Sequence, residues 1–343
     1  MDWDQLVAEF CALGGIVENV RLADGPRGRG LFVVDPSKPA RVHASMNLLV
    51  PVDDIEIRDG EMRIKAGAAV GDRERDFFER YERHYGWGAG LFDELWQTQK
   101  AWSELPPAVI GAVKNMGALA DPNQPFLAPT TDVCSTTYVR TRCFDRRGTS
   151  YVMPVVELVN HCSNGTAYVV EDGLGVKGTF DGEMLVRYSV DDDFGRVLMS
   201  GFSDPSVFAY SLAITVNIDG GQQVSIGRDI SAFDLLAGIR FPRAQRQGNV
   251  LQLPFLTLGI TTAPDLPRAI FRKLMSGNLT AARADDVFDN IAHFNHTKFL
   301  DLLLTLRDHR GPIVRVLEDA AINQLKALSC AIGARSLDDL LSS

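Results

Sequence analysis

Pro154-Val155-Val156-Glu157-Leu158-Val159-Asn160-His161 is an apolar run broken once by a carboxylate and closed by two polar side chains. Its β-branched valines predict a strand. Asn carries a donor and an acceptor together, and His carries two ring nitrogens. That ending suits either a heterocyclic ligand or a buried backbone turn. Cys162 follows at once, but neighbours on a strand point to opposite faces, so His161 and Cys162 do not form a thiol dyad.

Outward from this run, further strands are predicted at 149–153, 166–170 and 184–188, with glycine-rich turns between them. The last of these strands, Met184-Leu185-Val186-Arg187-Tyr188, follows Gly182-Glu183 and ends in a tyrosine. Nearer the N-terminus, Trp3, Leu6, Val7, Phe10 and Leu13 sit at helical spacing before Gly14-Gly15. Residues 16–22 and 31–34 then read as strands joined by the turn Asp24-Gly25-Pro26-Arg27-Gly28-Arg29-Gly30. Between about 66 and 113 the spacing of Phe77, Phe78, Tyr81, Tyr85, Leu91, Leu95, Trp96 and Trp102 predicts helices inserted between the β segments. After Asp204-Pro205, β-like runs at 207–218, 222–226 and 251–260 lead into a helical tail from about 266 to the end. Its apolar stripe includes Ile291, Phe294, Phe299, Leu302, Leu303, Leu306, Val314, Val316, Leu317, Leu325 and Leu328.

The composition narrows the function. At roughly 100–200 residues per domain, 343 residues imply one large domain or two. With 35 Lys+Arg against 44 Asp+Glu the formal charge is -9, which argues against a nucleic-acid binder because phosphate attraction supplies most of such affinity. No run approaches the roughly 18 apolar residues of a membrane span, and Met1-Asp2-Trp3-Asp4 puts acid where a signal peptide carries base. A soluble, cytoplasmic protein is expected. Five scattered cysteines (Cys11, Cys134, Cys143, Cys162, Cys330), none in a C-x-x-C pair, speak against a disulfide framework or a structural zinc and read as buried small hydrophobes. His293 and His296 lack an HExxH context, so no metal is expected. Gly28-Arg29-Gly30 leads into a strand rather than a helix, which excludes a dinucleotide fingerprint. Neither a phosphate-binding G-x-x-x-x-G-K-[ST] loop nor a G-x-S-x-G nucleophile elbow is present.

Taken in order, Gly28-Arg29-Gly30-Leu31-Phe32, the helical insert, Tyr138-Val139-Arg140-Thr141-Arg142-Cys143-Phe144, Pro154 to Asn160-His161, and Gly182-Glu183 to Tyr188 followed by Gly201-Phe202 resemble a SET-domain methyltransferase of the Rubisco large-subunit methyltransferase-like branch. The resemblance covers about residues 15 to 203. It implies an α+β fold: a SET domain of short strands with a pseudoknot over 1–203, a helical insertion at about 66–125, and a mainly helical substrate-binding domain over 204–343. S-adenosylmethionine is the implied cofactor. Arg29, Gly30 and Leu31 would lie along it through backbone groups, Arg142 would pair with its carboxylate, and Asn160 and His161 would meet its amine and adenine. Tyr188 matches the family's active-site tyrosine and counts as both catalytic and cofactor-binding, while Tyr168, Asp192, Ser200 and Phe202 are the implied substrate-pocket positions.

Departures gather on the acceptor side. Ser200-Gly201-Phe202 stands where the family has tyrosine-glycine-phenylalanine, Asp192-Asp193 where it has serine-asparagine, and Cys162 follows the Asn-His pair in place of serine. Asp192 and Asp193 read equally as pocket residues or as solvated turn residues. The implied activity is methyl transfer to a nitrogen of a protein or peptide, lysine first, with histidine, an N-terminal amine or a small metabolite as alternatives. The acidic chain favours a basic substrate through electrostatic steering. A SET-fold enzyme using the cofactor on a small molecule or natural-product peptide, and a non-catalytic binding module, are the rival readings.

Overall fold

The computed structural model describes residues 2–119, 121, 123–229 and 242–332. The chain is α+β and forms two compact units, Met1–Lys100 with Ala128–Tyr188, and Ala101–Leu127 with Ser189–Ser343. This division differs from a boundary at 203. Residues 101–127 and 189–203 belong to the second unit because Trp102, Leu105, Val109, Val113, Met116, Phe194, Val197 and Leu198 share one apolar core with Phe288, Phe299 and Leu317.

In the first unit, helix Trp3–Ala12 starts at a capping box in which Asp2 accepts from the Gln5 N–H. The expected strand at 16–22 is broken at Asn19, whose φ of 56° interrupts the extended chain. Its side chain fills the gap, donating to the Asp35 carbonyl and accepting from the Asp35 N–H. Ile16–Glu18 then joins a four-stranded antiparallel sheet with Ala40–Ser45, Gly173–Gly178 and Val169–Glu171. Val20–Gly25 instead forms a hairpin with Gly28–Val33, with Gly28 at φ 85° in the turn.

The strand predicted over Pro154 to Val159 is not a strand. The N–H of Glu157 bonds the Met153 carbonyl and that of Leu158 the Val155 carbonyl, giving a turn and the 3-10 helix Val156–Leu158. Val155, fully buried, holds a φ of 69° there, a conformation costly for a β-branched residue. The paired strand begins only at Asn160. Asn160–Thr166 runs parallel to Leu185–Val186, and Val186 is the register partner of both His161 and Thr166, so the longer strand bends around the shorter. Gly165 permits this, since a Cβ there would stand 2.8 Å from the Val186 carbonyl carbon.

Helix Asp72–His84 turns Phe77, Phe78, Tyr81 and Glu82 inward. Helix Thr131–Arg142, capped by Thr130, runs directly into strand Cys143–Arg146. The cysteines correct another expectation: Cys134 is buried, Cys143 and Cys162 are partly so, and Cys11 is exposed. The side chain of Cys330 lies outside the described residues.

The second unit is mainly helical and carries short strands beside its helices. Ile214–Ile218, Gln222–Ile226, Val250–Leu253 and Gln245–Gln247 form a four-stranded sheet, and Phe208–Tyr210 pairs with Thr257–Ile260. Helices Leu266–Met275, Ala281–Leu306 and Pro312–Ile332 follow. The helical stripe read from sequence is the core here, with Ile291, Phe299, Leu302, Leu306, Val314, Leu317, Leu325 and Leu328 buried. The part of the expected tail beyond 332 lies outside the described residues. Among the described residues no helix is long and apolar enough to cross a membrane.

Candidate functional site

Three segments distant in sequence meet in the first unit. Antiparallel pairing places Gly30 on the inner edge of the hairpin, and Gly182-Glu183-Met184 runs beside it through bonds from the Val33 N–H to the Gly182 carbonyl and from the Met184 N–H to the Leu31 carbonyl. Asn160 opens the bent strand here and donates its amide to the Arg29 carbonyl at 3.2 Å and to Glu183 Oε1 at 2.7 Å. Close approach depends on Gly30: a Cβ at that position would lie 2.5 Å from Asn160 Nδ2 and 2.9 Å from Glu183 Oε1. Arg27 stands 3.6 Å from the buried Glu183 carboxylate. Arg29 sends its guanidinium away from this point, to the Tyr85 carbonyl and ring.

His161 is buried, and its ring serves the local backbone. Nδ1 accepts the Tyr188 N–H at 3.1 Å, which makes a neutral ring the Nε2–H tautomer. The imidazole packs against the Tyr188 ring with centroids 5.1 Å apart. Tyr188 donates its hydroxyl to the Val159 carbonyl at 2.8 Å. Burial pushes its ionisation well above the ordinary phenol range, against the opposing pull of Arg142. At neutral pH it is a hydrogen-bonding phenol, not a base.

Behind this layer lies a buried acid cluster that the sequence reading left without a role. Tyr81 donates to Glu157 Oε1 at 2.7 Å. Tyr138 and the Trp87 N–H both donate to Glu82 Oε2, at 2.7 and 3.0 Å. Arg142 stands over the Tyr138 ring at 4.4 Å, with Nε 3.5 Å from Glu157 Oε2. Burial, followed by the charge of Glu157, raises Glu82 to about 8. Burial also raises Glu157, with Arg142 opposing. Glu82 Oε1, Glu157 Oε2 and the Tyr168 hydroxyl are buried with no hydrogen-bond partner among the described residues. Tyr168 lies within electrostatic reach of Tyr188 and Glu157.

Of the residues singled out from sequence, Arg29, Gly30, Leu31, Arg142, Asn160, His161, Tyr168 and Tyr188 all belong to this first unit. Asp192, Ser200 and Phe202 belong to the second. There Asp192 caps helix Asp193–Ser200 through the Gly195 N–H, accepts from the Tyr210 N–H and pairs with Arg228 at 2.8 Å. Ser200 is the last residue of that helix, and Gly201 closes it at φ 77°. Asp192 and Asp193 are both fully buried, which overturns the solvated-turn reading of the pair.

Glu82, Glu157 and Glu183 were passed over as site residues in the sequence. A signal for Glu82 existed, because Phe78, Tyr81, Glu82 and Tyr85 recur at i, i+3, i+4 and i+7, which sets the carboxylate on the apolar face.

No family model matches the chain, and no curated protein does. Among solved structures it is similar to the crystal structure of the SET domain of LSMT bound to methyllysine and AdoHcy. That alignment covers 96% of this chain and 90% of that one, at 14% identity and a TM-score of 0.44.

Proposed function

We propose that this protein is an S-adenosylmethionine-dependent N-methyltransferase of the SET type whose acceptor is a lysine side chain of a protein. One observation carries the reading: the Gly28–Val33 strand, the Asn160-His161 pair and the Gly182-to-Tyr188 segment, which carry the sequence resemblance, are joined by direct hydrogen bonds. The residues present also fit such a cofactor. Buried oxygens of Glu157 and Tyr168 have no hydrogen-bond partner among the described residues, and a ligand can supply one.

In this reading Arg29, Gly30 and Leu31 offer backbone groups along the cofactor and Arg142 its guanidinium to the carboxylate. Asn160 contributes near the amine, and His161 acts through its backbone because its ring is committed to Tyr188. The bound group would supply a sulfonium methyl for in-line transfer to a lone pair, so the protein contributes mainly alignment and electrostatics. Tyr188, held as a phenol by burial and anchored to Val159, orients groups without taking a proton. A lysine ammonium, with a reference pKa of about 10.4, must arrive as the free amine, and desolvation favours that form. The net charge of -9 favours a basic protein substrate. A small-molecule acceptor is the second reading, favoured by the structural employment of Asp192 in capping a helix.

Isothermal titration with S-adenosylmethionine tests the proposal, with Gly30→Ala as the comparison. The added methyl displaces Asn160 or Glu183 and should weaken binding at least about tenfold, or ~1.4 kcal/mol. Absence of binding by folded wild-type protein overturns the reading in favour of a binding module.

A further inference from the structure

The acid cluster has a charge imbalance that the proposed function does not use. Two carboxylates, on helix Asp72–His84 and on the 3-10 turn Val156–Leu158, share one guanidinium, Arg142 from helix Thr131–Arg142. Their side chains are almost entirely enclosed: Glu82 is 1% exposed, and the Glu157 side chain 2%. Tyr138 donates to Glu82 Oε2 and Tyr81 to Glu157 Oε1, so a phenol holds one oxygen of each carboxyl group. Glu82 Oε1 has no hydrogen-bond partner among the described residues, whereas Glu157 Oε2 faces Arg142 Nε at 3.5 Å, so Glu82 Oε1 is the atom on which a shared proton would reside. Burial of two like charges beside one cation favours the same state.

Among the described residues, the other groups facing the cluster supply no second neutralising cation at Glu82. Tyr81 on the same helix and Tyr138 opposite are both held as neutral phenols by burial. Tyr188 and Tyr168 are neutral for the same reason. Arg29 acts on Glu157, but its guanidinium is bonded to the Tyr85 carbonyl. An independent observation on another segment, the buried and unpartnered Tyr168 hydroxyl, also marks this side of the unit as short of ligand-supplied contacts.

We propose that Glu82 and Glu157 together hold one proton in the free protein and release it when a net cationic ligand binds, so that Glu82 acts through Glu157 to favour the sulfonium cofactor over its neutral-sulfur product. This rests on the cofactor assignment above. If the cofactor's carboxylate takes Arg142, Glu157 loses part of its compensation, and the positive charge that enters replaces it. S-adenosylmethionine brings a net charge of about +1 at neutral pH, and its demethylated product none, by the ordinary ionisation of their groups. The product carries the same amino and carboxyl groups, so it controls for their titration. Glu82 is a positioning residue here: its proton, raised to about 8, is the one that yields.

The experiment is calorimetric titration of the intact protein with S-adenosylmethionine and separately with the demethylated product, in two buffers of different ionisation enthalpy. A buffer-dependent heat reporting proton release with the sulfonium compound, and markedly less with the product, is the expected result. Affinity for the sulfonium compound should rise about fiftyfold between about pH 6 and about pH 8, and Glu82→Gln, whose amide oxygen still accepts from Tyr138 and Trp87, should flatten that rise. In the free protein, infrared spectroscopy should show a protonated carboxylic acid at neutral pH that Glu82→Gln removes. Binding of the sulfonium compound without proton release overturns the inference and leaves the cofactor assignment standing. Binding of neither compound overturns both. Absence of the carboxylic-acid band in the free wild type overturns the shared proton whatever the variant's fold.

Discussion

Each unit buries a cluster of acids, and the two clusters err in opposite directions. In the second unit Asp192 receives the Gly195 and Tyr210 N–H groups and Arg228, while Asp193 receives Ser203, the Asp204 N–H and Asn323, with Arg196 at 3.8 Å. Among the described residues, what remains there without a hydrogen-bond partner is donors, Arg196 Nε and Arg228 Nη1. In the first unit the remainder is acceptors, one oxygen on each of Glu82 and Glu157, with Arg142 as the cation in salt-bridge contact with Glu157. A buried polar network with its acids satisfied fixes a fold. One with acids to spare is suited to bind something positive. The sequence shows both as acids in ordinary company, so the distinction belongs to packing and not to composition.

The comparison is most exposed to failure at Asp192. Asp192→Ala removes the helix cap, the acceptor for Tyr210 and the partner of a guanidinium whose side chain is 10% exposed. Breaking a buried pair from one side costs about 3–5 kcal/mol, read as a drop in stability by denaturant unfolding. A loss under about 1 kcal/mol would mean that this cluster does not hold the fold.

Glu82 should behave with the opposite sign. Burial holds its proton to about 8, so across the window from the ordinary carboxyl range of about 4.3 up to about 8 the folded protein binds a proton that the unfolded chain has released. Stability therefore falls as pH rises through that window. Glu82→Gln has no proton to lose and should be more stable than wild type by about 2–4 kcal/mol above about pH 8, with the gap closing toward about pH 4. Parallel unfolding curves for the two proteins at all pH values would refute the shared-proton picture.

These clusters also mark where the sequence stops being legible. The hairpin Val20–Gly25/Gly28–Val33 was readable because its turn chemistry is local, and the tail because Ile291, Phe299, Leu302 and Leu306 keep helical period over many turns. Over Pro154 to Val159 the β-branched composition suggests a strand, whereas the turn depends on Val155 accepting a positive φ that only its packing sustains. Glu157 looked like a blemish in an apolar run, since its partner Tyr81 lies 76 residues away in sequence. Asn160, His161 and Tyr188 were singled out by motif order, yet the bond from the Tyr188 N–H to the His161 ring follows from a strand bending around Val186, which no local pattern records. Asp192 and Asp193 read equally as pocket or solvated residues, because three successive acids (Asp191-Asp192-Asp193) are ordinarily exposed and nothing local shows the partners that bury them.

The smallest effect separates the two tyrosines nearest the cluster. Tyr188 spends its hydroxyl on the Val159 carbonyl, while the Tyr168 hydroxyl is buried with no partner among the described residues. Tyr188→Phe leaves that carbonyl short of a donor and should cost about 1 kcal/mol. Tyr168→Phe removes only an unsatisfied group and keeps the ring, so the free protein should be unchanged or up to about 1 kcal/mol more stable. The difference should reverse on ligand binding. If the orphan hydroxyl is kept for a ligand, Tyr168→Phe gains stability in the free protein and loses affinity for S-adenosylmethionine in the same variant, whereas a hydroxyl that is merely tolerated gives the first effect without the second. Thermal melts with and without S-adenosylmethionine read both, and a smaller ligand-induced shift in Tyr168→Phe than in wild type is the outcome that places the spare polar groups of the first unit at a binding site.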